Sequence, residues 1–363
     1  MNKVTFNCEI ITPMFMSGAD GKTPELRPSE FKGMMRFWWR AIKAENDIGK
    51  LRKEEASLFG GTGEGEGKSK IRIMITNSIP KDAEIGQNIK NEIENYPGLK
   101  YLFYSTFTLR SQGEQIIRKY IKATYKFDIM LSSLESEIDC HKQALASLWL
   151  SIYLGGFGTR ARRGGGSIAI SGFNDKTSDI NFIPIGEGKK ELSEWIEKNL
   201  NIIKLICKTS SNPTLKYTIL PRGKILIFDG KKDWKEALEF FGLKFSDYRK
   251  NNKSCIWNMS AFGMPIMHNG FKVRMVPYKD GNRISERRAS PLIVKVIKLN
   301  KLFFPIIIVL SGEIAPQGTV GKEEKNNKQW SKAGENNIKQ VNYSKVYEFL
   351  DLLNKDKPEI IKI

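Results

Sequence analysis

Residues 155–167 read GGFGTRARRGGGS, a run in which six glycines surround Arg160, Arg162 and Arg163. A guanidinium offers planar, fixed N–H donors that match phosphate oxygens. Glycine lets successive backbone N–H groups turn toward one point and form an anion nest. Arg160, Arg162 and Arg163, with backbone donors at Gly164 and Gly165, are therefore expected to hold phosphates of a closely approaching sugar-phosphate chain. The competing reading is a flexible, solvated loop.

A second constellation lies in SEFKGMMRFWWRAIKAE at 29–45. Phe31, Met34, Trp38, Ala41 and Ile42 follow helical spacing toward a core, while Lys32, Arg36, Arg40 and Lys43 share another face. Trp39 falls between Arg36 and Lys43. Cations for phosphates with a flat ring for a base are what a single strand of nucleic acid needs. The alternative places both tryptophans in the core and leaves the cations solvated. KDGNRISERRASP at 279–291 supplies Arg287 and Arg288, either as an extension of this track or as a solvated turn.

Asp20 and Glu25 sit in the loop after the first strand, where an acid beside RNA could hold a metal or activate a 2′-hydroxyl. That gives a rival reading, a metal-dependent endoribonuclease; the plainer role of Asp20-Gly21 is turn chemistry. GGTGEGEGKSK at 60–70 imitates a phosphate-binding loop. The first glycine of that motif would have to stand at Thr62, and Glu64 and Glu66 would repel phosphate.

Bulk properties narrow the classes. The chain has 363 residues with 59 Lys+Arg against 40 Asp+Glu, a net charge of +19. Such an excess suits a polyanionic partner. Cys8, Cys140, Cys207 and Cys255 are scattered and there are only two histidines, so no zinc site or other metal is expected. No cofactor is expected either. The thiols fit a reducing, cytoplasmic location. LFFPIIIVL at 302–310 is too short to span a bilayer, so no membrane partner is expected.

The elements that must position these residues read, in order, as a strand at 3–11, a helix at 30–46, strands at 70–78, 102–109 and 121–131, a helix at 135–154 and a strand at 167–173. With one strand candidate to spare, this is the β-α-β-β-α-β order, which predicts a ferredoxin-like domain over 1–175, its two helices on one face of an antiparallel sheet. Residues 176–363 predict a second α+β unit. It would have helices at 190–206, 233–241 and 343–355 and strands at 224–228, 272–276, 291–300 and 302–310. Pro305 predicts an edge position for its strand. Residues 318–340 read as polar and mobile.

ITPMFMSGADG with ELRPSEFKGMMRFWWRA at 11–41, GGFGTRARRGGGS at 155–167 and ERRASPLIV at 286–294 together resemble the RAMP superfamily. Within it they are most similar to the first-subunit family of the Cmr complex, the type III-B CRISPR effector. The run GGG at 164–166 departs from the family, which more often places an aromatic among these glycines. The resemblance implies an α+β protein of two ferredoxin-like (RRM-like) domains. It implies a non-catalytic subunit of an antiviral ribonucleoprotein, touching CRISPR guide RNA near its 3′ end and/or target RNA. The other Cmr subunits would then be its protein partners.

Overall fold

The structure, a computed structural model, describes residues 1–107, 110–111, 114–115, 117–268, 272–315, 318–326 and 329–363. Strand β1 (Asn2–Ile10) alternates as its sequence requires, with Val4, Phe6, Cys8 and Ile10 buried and Lys3 and Asn7 exposed. Helix α1 (Pro28–Lys43) starts with proline in its first turn, where the missing N–H costs no bond. It ends at Ala44, whose left-handed backbone (φ 51°) lets its N–H reach the Arg40 carbonyl. Then follow α2 (Ile48–Phe59), β2 (Arg72–Thr76), α3 (Pro97–Phe103), β3 (Lys126–Ser133), α4 (Ile138–Tyr153) and β4 (Ile168–Phe173).

The first sheet is antiparallel in the order β2-β3-β1-β4, with Val4 opposite Leu131 and Phe6 opposite Ile129. With α1 leading from β1 toward β2 and α4 joining β3 to β4, this is the ferredoxin-like arrangement. The remaining main elements are α5 (Lys189–Ile206), β5 (Ile219–Ile227), α6 (Trp234–Asn251), β6 (Val273–Lys279), β7 (Leu292–Leu299), β8 (Leu302–Ser311), β9 (Thr319–Asn326), α7 (Ser344–Asn354) and β10 (Glu359–Lys362). Their main sheet runs β7-β8-β5-β10, again antiparallel. It repeats the first plan with α6 and α7 as the two helices. The class is α+β, built twice on the ferredoxin-like pattern.

Strand β7 is buried on both faces, which explains why its apolar residues do not alternate with polar ones. Leu292, Val294 and Val296 join the core that holds Leu238, Phe241 and Phe245 of α6. Ile293 and Ile297 join the core of Phe6 and Trp38 from the first unit.

Three expectations fail. The stretch at 102–109 is the end of α3 and a short 3-10 helix at Tyr104–Thr106, not a strand; residues 108 and 109 lie outside the described set. Leu99, Leu102 and Phe103 recur at helical spacing and pack against α6. Pro305 belongs to an interior strand: β8 pairs with β7 and with β5. Phe228, opposite Pro305, still donates its N–H to the Pro305 carbonyl (3.1 Å), so the proline removes only the return bond, where β5 ends. Residues 318–340 hold β9 and a strand at Ile338–Gln340, which with β6 and Ile266–His268 form a separate sheet. Polar residues alternating with Val320 and buried Glu323 hid this strand; residues 327 and 328 lie outside the described set.

Candidate nucleic-acid interface

The glycine-arginine run links α4 to β4 and folds as a compact turn, not a bare loop. Gly164, Gly165 and Gly166 are buried. A Cβ on Gly166 (φ 64°) would sit 2.0 Å from the Phe157 carbonyl oxygen. One on Gly164 (φ 89°) would sit 2.3 Å from Leu238 of α6. Close packing at positive φ, not access for phosphate, is what demands glycine here. The anion-nest expectation for Gly164 and Gly165 is corrected on the same ground. The Gly165 N–H donates to the Arg160 carbonyl (3.2 Å), the Gly166 N–H to the Pro13 carbonyl (2.9 Å) and the Arg163 N–H to the Arg160 carbonyl (2.7 Å). Those donors are already taken, two within the turn and one by the loop after β1.

The arginine side chains leave this turn in two directions. Arg160, itself at φ 70°, lays its guanidinium 4.6 Å from the ring centre of Tyr104. Arg163 lies 4.8 Å from the ring centre of Phe245, and Arg249 shares that ring at 5.8 Å. Tyr101 packs edge-on against Phe245. Among the described residues Arg160, Arg163 and Arg249 enter no ion pair, and Nε and Nη2 of Arg160 and Nη1 of Arg163 are buried without an acceptor. Burial depresses the pKa of Arg160, and that of Arg163 to about 10, with Arg249 and Arg160 adding like-charge repulsion at Arg163. Both stay cationic at neutral pH.

Arg162 points the other way. It covers Phe37 of α1 at 5.0 Å and donates from Nη1 to the Ser290 carbonyl (2.7 Å). Burial and then nearby Arg288 lower its pKa to about 10. Arg288 itself donates to the carbonyls of Ala289 (2.6 Å) and Glu313 (2.9 Å). Backbone bonding fixes the junction, since the Val294 N–H donates to the Arg162 carbonyl (3.2 Å). Arg287 is exposed beside it.

The stripe on α1 is corrected. Trp39 is 1% exposed, edge-on to Phe59, and its Nε1 donates to Gln143 (2.9 Å), so neither ring face is open to a base. Arg36 and Arg40 both donate to one oxygen of Glu55 in α2, at 2.5 and 2.6 Å, and Lys43 pairs with Glu54 at 2.6 Å. Lys32 is half-buried, and burial first, then Arg36, holds its ammonium below its usual pKa. The helix at 48–59 was not expected, and its Glu54 and Glu55 pair with three of the four cations of this face. The turn touches α1 through Phe37, under Arg162, and Phe31, on which Phe157 stacks at 4.2 Å.

Sequence reasoning missed Arg249, Tyr101 and Tyr104. The first lies beyond the expected end of its helix at 241, and the tyrosines were read as part of or beside a strand. YRKNNK at 248–253, basic residues closing a helix, was the available signal. Asp20 does turn chemistry: it accepts from the backbone of Lys22 and Thr23 (both 2.9 Å) and from the Thr23 hydroxyl (2.5 Å). These bonds lower its pKa to about 2. Among the described residues no cluster of His, Cys, Asp and Glu is suited to a metal, and no helix is long and apolar enough to cross a membrane.

The doubled ferredoxin-like fold with a glycine-rich, basic turn after its second helix defines the class: residues 7–169 match the RAMP superfamily. Two relatives from Pyrococcus furiosus narrow it. CRISPR system Cmr subunit Cmr1-2 is 33% identical over 188 residues, 47% of this chain and 96% of that protein. Subunit Cmr1-1 is 29% identical over 286 residues, 76% of this chain and 77% of that one. The chain belongs to the Cmr1 family. Its fold matches the apo crystal structure of Cmr1 from Pyrococcus furiosus with a TM-score of 0.65 at 21% identity, covering 99% of this chain and 98% of that one. A chain of the type III-B Cmr-beta complex bound to cognate target RNA matches at 0.58 and 15% identity, over 98% and 99% of the two chains.

Proposed function

We propose that this chain is a non-catalytic, RNA-binding subunit of a type III-B CRISPR effector complex, contacting guide RNA near its 3′ end and/or target RNA. One observation carries the reading: Arg160, Arg163 and Arg249 gather over Tyr104 and Phe245 with no carboxylate partner among the described residues. Grouping like charges is unfavourable unless an anion neutralises them. Arg162 and Arg288 form a second positive node, with Arg287 exposed beside it. A phosphate chain passing both nodes offsets their charge, and exposed Tyr104 offers a ring edge to a base. The two curated relatives are named as Cmr subunits, and one structural neighbour was solved with target RNA.

The test is the salt dependence of single-stranded RNA binding by the purified chain. Each phosphate contact contributes about −0.7 to the log-log slope. Replacing Arg160, Arg162 and Arg163 by alanine is expected to flatten the slope by roughly two. An unchanged slope removes the turn from the interface. Labelled RNA with Mg²⁺ or Mn²⁺ is expected to stay intact; cleavage abolished by Asp20→Ala would install the nuclease reading in its place.

A further inference from the structure

A trough runs along the outer side of α5, walled by the strap of residues 174–186 that leads to it from β4. It consists of two joined clefts of about 340 and 350 Å³ that share Asp179 and Ile202. The first is acidic, with Asp179, Glu191 and Glu194 against one ammonium, Lys198. The second carries Lys142 and Lys176. Large apolar side chains stand open beside both, Ile185 at the first and Leu205, 80% exposed, at the second.

Three features select an occupant. On a chain of net charge +19, Asp179 and Glu194 are carboxylates with no ion pair among the described residues. They repel RNA and invite a cation. Trp195 lines the acidic cleft, is 3% exposed and packs tilted on Trp149 and edge-on to Tyr153, yet its indole N–H has no acceptor among the described residues. A buried indole N–H ordinarily finds one. Exposed Ile185 and Leu205 ask for apolar cover. A lysine or arginine, an apolar side chain and a carbonyl oxygen occur together on a polypeptide.

We infer that this trough docks an extended protein segment of another subunit. That segment places a basic residue at Asp179 and Glu194 and an apolar residue between Ile185 and Ile202. The inference rests on the reading of the chain as a member of a multi-subunit complex.

The experiment uses the complex reassembled from purified subunits, with p-benzoylphenylalanine in place of Leu205 or Ile185. Irradiation is expected to link either position to a peptide of another subunit that carries Lys or Arg within a few residues of the link. Crosslinks to RNA, to a second copy of this chain or to an acidic segment would overturn the inference, as would no crosslink. In parallel, Ile185→Asp and Glu194→Lys are expected to weaken assembly at least tenfold and to leave the RNA salt slope of the isolated chain unchanged. Reversing the basic residue of the crosslinked segment is expected to rescue Glu194→Lys. Variants that assemble as tightly as the unsubstituted chain sink this inference alone. Failure of the unsubstituted chain to assemble sinks the wider reading with it.

Discussion

Arg163 and Phe245 join the two halves of the molecule: a guanidinium from the turn before β4 lies 4.8 Å from the centre of a ring on α6. The face of a benzene ring attracts a cation, more strongly where water is excluded. The contact holds a positive group in place without discharging it. A carboxylate would have paired with it, as Glu55 does with Arg36 and Arg40.

That difference predicts unequal roles for arginines of one chain. Arg249→Ala is expected to flatten the RNA salt slope by about 0.7, one phosphate contact. Arg36→Ala is expected to flatten the slope by less, because Arg36 shares the Glu55 carboxylate with Arg40. Equal effects in a filter-binding titration would contradict the division.

Glu55 is buried and accepts from both α1 arginines. Glu55→Ala leaves two half-buried guanidiniums unpaired and is expected to destabilise the fold by about 1–3 kcal/mol. Urea denaturation measures the loss. The same variant exposes two further cations and is expected to tighten RNA binding.

Gly166→Ala sets a Cβ against the Phe157 carbonyl at a positive φ and is expected to cost about 2–4 kcal/mol. Gly21 also has positive φ (67°) but nothing within 4 Å of its Cβ position. Gly21→Ala is expected to cost only about 1 kcal/mol. A comparable loss in both would remove the steric account of the turn.

Lys295 is a cation inside β7, 1% exposed, its Nζ without an acceptor. Ile293 and Ile297 flank it on the same sheet face, and Ile306 is its register partner on β8. Burial lowers its pKa to about 7. The unfolded chain keeps the proton up to about 10.4 while the folded chain gives it up near 7. Stability therefore rises with pH between those values and is lost as pH falls toward 7. Lys295→Met is expected to abolish this rise and to stabilise the protein at pH 7 by about 2 kcal/mol. Denaturation of both forms at pH 7 and 9 decides it.

The amino-acid sequence alone determined the four sheet strands and the two long helices of the first half, because hydrophobic period reports local geometry directly, while the helices at 48–59 and 97–103 went unread. It also determined that arginine is concentrated on one turn, and its blocks at 11–41, 155–167 and 286–294 carried the family likeness. It did not determine which cations stay free. Arg36 and Arg160 are the same residue type in equally basic stretches, and only the packing of α2 against one and Tyr104 against the other separates them. Trp38 and Trp39 are neighbours that differ by about 100° around a helix, yet both are buried, because α1 is covered on more than one side. Ion pairing and burial depend on residues brought together from distant positions, so charge could be counted along the chain while its availability was settled only by the tertiary fold.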